Sequence, residues 1–332
     1  MILKFIRFSI ILICLYLIGN LIFSVVGIGY KTIIKTATRN PVTPGAFGFS
    51  EARFRDVQNY RNVDVVFIGS SHCYRTYDPR IYAKYGISSF NLGTTGQTPL
   101  NSYFVLKRYF DQLSPKLVIF DLNYRVINRD GLESFYDISI NSSYAPEILE
   151  MALAIKSPHA INGAISKWLL SLTGLDKQRP QQPMPGERYI PGGYVEFTKP
   201  DKKRPKNRDK QDIFAANSEK KLLITPNADQ LKYIHKLVEF TKGRGAEIVL
   251  ITKPEPPENL QIVANYSEIY DAFSKIAQET DVSFFDFNKM DLPLDSHRHY
   301  YDKEYLNSEG VKIFNPILIE FLQKKLIIPA LK

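Results

Sequence analysis

Cysteine is almost missing from this chain of 332 residues: Cys14 and Cys73 are the only two. No C-x-x-C pair and no Cys/His cluster occurs, which argues against a disulfide scaffold and a structural zinc site. The two are far apart in sequence and environment, so they do not read as a pair. Cysteine usage therefore permits export without requiring it. The sequence also lacks G-x-x-x-x-G-K-[ST], and Gly93-Thr94-Thr95-Gly96 does not have the G-x-G-x-x-G spacing, so no phosphate cradle or cofactor motif is legible. Internal repeats are absent. Tryptophan occurs once, yet 20 Tyr and 21 Phe bring the aromatics to 13%. With 44% hydrophobic and 23% charged residues, the chain is ordinary globular material and not a disordered one. Its length leaves room for one large domain or two small ones, at roughly 100–200 residues per domain.

The net charge of +9 suggests nucleic acid until it is located. Residues 1–40 hold Lys4, Arg7, Lys31, Lys35 and Arg39 and no acid, and residues 199–210 hold seven basic residues against Asp201 and Asp209. Without these two stretches the body is close to neutral, so nucleic acid is not an expected partner.

No charged residue interrupts Phe8 to Tyr30. As a helix those residues rise about 34 Å, enough for a hydrocarbon core of ~30 Å. The run is longer than the apolar part of a cleaved signal and has no Ala-x-Ala site, so an uncleaved anchor is expected over residues 1–30. The lipid bilayer is then a partner through this helix. The positive-inside rule nearly cancels across it. A short tail leading a large C-terminal domain is the usual layout of an N-in anchor. A single-pass protein of the inner (cytoplasmic) membrane is expected, its domain on the periplasmic or extracellular side.

Residues 31–60 read as a linker, and an α/β rhythm begins after it. Val63–Gly69, Ser88–Leu92, Lys116–Asn123, Ala246–Thr252 and Val282–Phe287 read as strands, being β-branched or aromatic runs bounded by turn residues. Helices are expected from Asp78-Pro79, from Thr98-Pro99 to Leu113, over 145–171, from Thr225-Pro226 to about Gly243, over 259–280 and from about Asn307. The alternation implies an α/β class: a three-layer α/β/α domain with a mostly parallel five-stranded sheet ordered 2-1-3-4-5. Residues 61–328 form this domain, with an insertion at about 145–220. Its proline-rich part, 176–220, reads as a long loop or lid. The basic run 199–210 reads as a solvated loop, a lipid-headgroup contact or a polyanion contact, and the sequence does not choose.

Chemistry in such a sheet collects at the carboxyl ends of the strands. Strand one exits through Ile68-Gly69-Ser70-Ser71-His72, a turn that presents a hydroxyl near backbone N–H groups or is simply capped by serine. Strand two exits through Asn91-Leu92-Gly93-Thr94-Thr95-Gly96. Near the C-terminus stands Tyr301-Asp302-Lys303-Glu304-Tyr305-Leu306-Asn307-Ser308-Glu309-Gly310. The order and spacing of these three blocks resemble the SGNH (GDSL-like) hydrolase superfamily, in its membrane-anchored bacterial branch with G-S-S in place of G-D-S, over about residues 62–325.

The resemblance implies that Ser71 is the nucleophile, that Ser71 and Gly96 supply oxyanion-hole N–H groups, and that Asp302 is the acid. The histidine slot holds Tyr305 instead, and the usual third block is replaced by Asp121-Leu122-Asn123-Tyr124-Arg125, where Asn123 or Arg125 stands in the oxyanion position. Serine must lose a proton as it attacks, and a phenol of pKa ≈ 10 is a poor base at neutral pH. His297 and His299, a few residues before Asp302, are the alternative bases or else plain loop residues. His72 adjoins Ser71, but neighbouring side chains usually diverge. Two functions stay open. One is an esterase or O-acyltransferase acting on a surface glycan, with a cell-surface polysaccharide and an acyl donor as ligands and a membrane acyltransferase as partner. The other is an inactive accessory protein that binds glycan or acylated polymer. Neither calls for a cofactor or a metal.

Overall fold

The computed structural model describes residues 1–26, 48–176, 186–198, 221–325 and 327. The strands among them are β1 (Val65–Gly69), β2 (Ser89–Asn91), β3 (Leu117–Asp121), β4 (Glu187–Ile190), β5 (Tyr194–Phe197), β6 (Glu247–Thr252) and β7 (Ser283–Asp286). Five form one sheet in the order β2-β1-β3-β6-β7, and every neighbouring pair is parallel. Counting only these five, that is the 2-1-3-4-5 arrangement expected from the alternation of elements.

The helices are α1 (Ile2–Val26), α2 (Ser50–Asp56), α3 (Ser71–Thr76), α4 (Pro79–Lys84), α5 (Pro99–Leu113), α6 (Leu132–Asn141), α7 (Pro146–Ile155), α8 (Pro158–Leu172), α9 (Ala228–Gly243), α10 (Pro257–Gln261), α11 (Tyr266–Glu279) and α12 (Ser308–Lys324). Successive strand residues point to opposite faces. Val66, Ile68, Val118, Phe120, Ile248 and Leu250 pack against α5, α9 and α11. Val65, Phe67, Leu117, Ile119, Val249 and Ile251 pack against α4 and α12. Both faces are covered, which is why the strands read as unbroken apolar runs.

The structure refines several sequence expectations. The stretch 145–171 is two helices: Lys156 turns into the left-handed region at φ 59°, and Pro158 begins α8 after a residue it pushes out of the α region. The stretch 259–280 is likewise α10 and α11. Residues 50–56, expected in the linker, are α2, which buries Arg53 and Phe54 in the domain. The expected loop at 176–220 contains an antiparallel hairpin, β4–β5, turning at Gly192-Gly193 with φ near +90°. A Cβ on Gly193 would strike the Asn91 carbonyl, and Asn91 N–H donates to Gly192 O at 2.8 Å. The hairpin is thus clamped to the end of β2. The basic run 199–210 and residues 31–47 lie outside the described residues.

Helix α1 contains one stretch, Ile2–Ile22, long and apolar enough to cross a membrane, with mean hydropathy 2.2 and no buried share. It packs against α8.

Candidate serine site

The site starts where β1 ends. Gly69 has φ +156°, and a Cβ there would lie 2.8 Å from the Asp121 carbonyl of β3, so only glycine fits this sheet edge. The chain then turns into α3, with Ser70 as N-cap, its side chain accepting from His72 N–H. Ser71, the first helical residue, is half-buried above the sheet. The β2 exit packs on this turn: Thr94 N–H donates to Gly69 O at 3.2 Å, and a Cβ on Gly93 would sit 3.0 Å from Ser70 O. Asn91 joins the two turns, donating through Nδ2 to Cys73 O and accepting from Gly93 N–H.

Tyr305 arrives from the opposite side. Asp302 Oδ1 accepts from the backbone N–H of Glu304 and Tyr305, and Tyr301 N–H donates to Tyr305 O. Lys253 Nζ, just beyond β6, donates to Glu304 O at 2.7 Å. These bonds set the phenol oxygen 2.9 Å from Ser71 Oγ, with either group able to donate. The hairpin supplies a wall. Phe197 stacks on Tyr301 with centroids 3.7 Å apart, and the Arg75 guanidinium lies 4.3 Å from the Phe197 ring centre and 5.2 Å from that of Tyr305.

Electrostatics hold the Tyr305 phenol protonated and the neighbouring His72 imidazole neutral. Burial, with Tyr74 adding to it, raises Tyr305 above the ordinary phenol range against the opposing effect of the Ser71 hydrogen bond. His72 is held well below the usual imidazole value by burial first, then by Lys253, Arg125 and Arg75. Its ring lies 4.8 Å from that of Tyr305, so the side chains of Ser71 and His72 both face the phenol and do not diverge. His72 Nδ1 is buried without a hydrogen bond, 3.8 Å from Glu255 Oε1. Glu255 is buried and accepts from Tyr124 Oη and Asn259 Nδ2, with Arg125 and Lys253 each 3.7 Å away.

Of the residues named from sequence, the structure brings Ser71 and Tyr305 together. The side-chain hydrogen bonds of Asp302, His299 and Asn123 run within their own loops, while Arg125 lies 3.7 Å from Glu304 of the Tyr305 loop and 3.7 Å from Glu255. Asp302 supports the turn that carries Tyr305, His299 Nδ1 accepts from Asp295 N–H at 2.8 Å, and Asn123 Oδ1 accepts from Arg125 N–H. His297 is exposed. Gly96 sits beside Arg129 and Glu133, while the glycine in contact with the serine turn is Gly93. Sequence reasoning missed Arg75, Lys253 and Glu255. The signal for the last two was their place immediately after a strand, on the edge where chemistry collects. Among the described residues no cluster of His, Cys, Asp or Glu is grouped to hold a metal ion.

One protein-family model matches residues 209–327, a stretch that holds Asp302 and Tyr305 but not Ser71. No curated protein matches. Two solved structures are similar to this chain. A candidate acylhydrolase from Bacteroides fragilis NCTC 9343 is 14% identical, with TM-score 0.40, covering 84% of this chain and 98% of its own. A GDSL-like lipase from Bacteroides thetaiotaomicron VPI-5482 is 13% identical, with TM-score 0.39, covering 84% and 99%.

Proposed function

We propose that this chain is a membrane-anchored, SGNH-like protein of the cell envelope whose Ser71 cleft binds an acylated glycan without efficient turnover. The observation that carries this reading is the partner of Ser71: a phenol 2.9 Å away that burial keeps protonated. General-base catalysis needs a group ready to take the serine proton near the working pH, and Tyr305 is not one. The apolar stretch Ile2–Ile22 supports single-pass anchoring; in this proposal the membrane is the cytoplasmic one and the domain stands on its outer side. The ligand is a cell-surface polysaccharide or its acyl donor, presented alongside a membrane acyltransferase.

A second reading, turnover as an esterase or O-acyltransferase, is favoured by one contact. His72 is neutral, faces the same phenol and has the Glu255 carboxylate behind it. Hydrolysis of a small acyl ester by the full chain in detergent separates the two, using wild type, Tyr305→His, His72→Ala and Ser71→Ala. The binding reading expects little wild-type activity and a gain of at least ~10²-fold in Tyr305→His, the low end of general-base contributions. Appreciable wild-type turnover, lost in both Ser71→Ala and His72→Ala, would replace it with the enzyme reading.

A further inference from the structure

We propose that in the bilayer α1 leaves α8 and pairs with α1 of a second copy of this chain, along a seam of Ser9, Ile13, Tyr16 and Asn20. The proposal rests on the reading of α1 as a membrane span.

The first observation is a register. Tyr16 Oη donates to Asn162 Oδ1, and Ser166 Oγ donates to Asn20 Oδ1. In both pairs the partners are 146 residues apart, so α1 and α8 run in the same direction. The same offset sets the start of α8, at Pro158, level with Leu12 of α1. The exposed Lys156–Asp229 pair stands just before it. Helix α1 cannot enter a bilayer in this pose without carrying that pair and α8 into hydrocarbon, where charged side chains are costly. Insertion and the α8 contact therefore exclude each other.

The second observation is depth. Charge stops at Arg7 and does not resume until Lys31. Counted from Phe8 at ~1.5 Å per residue, Tyr16 and Asn20 lie about 12 and 18 Å into a core of ~30 Å. Asn20 Nδ2 is 3.5 Å from Tyr16 Oη, so the two form one polar strip. Once α1 has left α8, Asn162 and Ser166 turn to water. Tyr16 and Asn20 have no water at that depth, and pairing across helices is what satisfies such groups.

The third observation names the partner. Ser9, Ile13, Tyr16 and Asn20 recur at spacings of four, three and four, the period of a two-helix seam. Copies inserted by the same route run parallel, so Asn20 meets Asn20 at equal depth. A carboxamide both donates and accepts, as do the hydroxyls of Tyr16 and Ser9, so each is complementary to its own copy. Another membrane helix would need a polar group at this depth by coincidence of sequence. A second copy has one by identity. A single Asn in such a seam also fixes register and oligomer state.

The test uses full chains labelled at the C-terminus with donor or acceptor dye and reconstituted in phosphatidylcholine vesicles at high lipid-to-protein ratio. The expected result is energy transfer that follows a monomer–dimer equilibrium, with association about tenfold weaker in Asn20→Leu. Disulfide cross-linking of single cysteines placed along α1 in a Cys14→Ser background should peak at positions 9, 13 and 16. Alkaline carbonate extraction reads insertion separately. No transfer with the chain retained in the membrane overturns the pairing and leaves the anchor standing. Release of the chain by carbonate overturns both. Transfer unchanged in Asn20→Leu overturns the seam. A disulfide within one chain of Tyr16→Cys/Asn162→Cys, formed in vesicles, would show that the α8 contact survives insertion and would also overturn the proposal.

Discussion

The serine turn and the 295–307 loop meet at one hydrogen bond, yet they handle their polar groups in opposite ways. The serine turn is held by glycines and backbone approach, Gly69 against Asp121 and Gly93 against Ser70, which leaves Ser71 Oγ free to face across the cleft. The opposing loop supports itself with side chains. Asp295 Oδ1 accepts from the N–H groups of His297 and Arg298, Asp302 Oδ1 from those of Glu304 and Tyr305, and Asn307 Nδ2 donates to Arg298 O. The lesson is that residue type does not fix role. An aspartate and a histidine near a serine suggest catalysis, but a donor or acceptor already committed to the backbone is not available to a substrate.

The largest effect expected from testing this contrast lies beneath the serine turn. Asp121 is pushed up to about 7 by burial, against the pull of Lys253 and of the Tyr77 hydroxyl, and its Oδ1 has no hydrogen-bond partner. A carboxyl raised in the folded state binds more protons there than in the unfolded chain, so stability falls as pH climbs from about 4 towards 7 and then levels off. At about 1.4 kcal/mol per unit, wild type should lose about 2–3 kcal/mol between about pH 5 and pH 8 through this group. Denaturant unfolding should show that loss greatly reduced in Asp121→Asn. Equal pH slopes in the two proteins would remove Asp121 as the cause.

On the loop side, a Cβ on Gly310 would run into the His299 carbonyl. Gly310→Ala should cost about 1–3 kcal/mol as the backbone shifts, read as a lower denaturation midpoint. An unchanged midpoint would show that the loop yields freely and is not the braced element described here. An effect of similar size distinguishes staple from acid at Asp302. Losing its charge-assisted bonds in Asp302→Ala should cost about 1.5–3 kcal/mol, whereas Asp302→Asn keeps the accepting oxygen and should sit within about 1 kcal/mol of wild type. Equal losses in both variants would instead point to the charge. Smallest of all, His299→Ala should cost about 1 kcal/mol through the acceptor it offers Asp295 N–H, with ester hydrolysis in the Tyr305→His background unchanged. A collapse of that activity would restore His299 as a base.

The sheet was legible because parallel strands buried on both faces leave long apolar runs, and each of the five lies within a run read from sequence alone. The break at Lys156 was missed although Ser157-Pro158 announces it, since the apolar pattern of α7 continues into α8 without a visible gap. The β4–β5 hairpin hid behind the prolines around it, although Gly192-Gly193 between β-branched and aromatic residues is a turn signal. The meeting of Ser71 and Tyr305 was suggested by block order. The surroundings of the pair, Arg75 over the phenol and Glu255 behind His72, follow from the folding together of segments up to 230 residues apart, for which local periodicity holds no record.

The hairpin has a consequence for how this protein can change. Its turn is gripped from within: Arg53, fully buried, donates through Nε and Nη2 to Gly193 O and through Nη1 to Gly48 O. Its far strand supplies Phe197 to the cleft wall. The shape of the cleft wall and core integrity are therefore inherited together. An insertion that looks exchangeable by its position in the chain cannot be reshaped without disturbing the acceptors of a buried guanidinium, so this wall should evolve slowly, and by compensated pairs of changes.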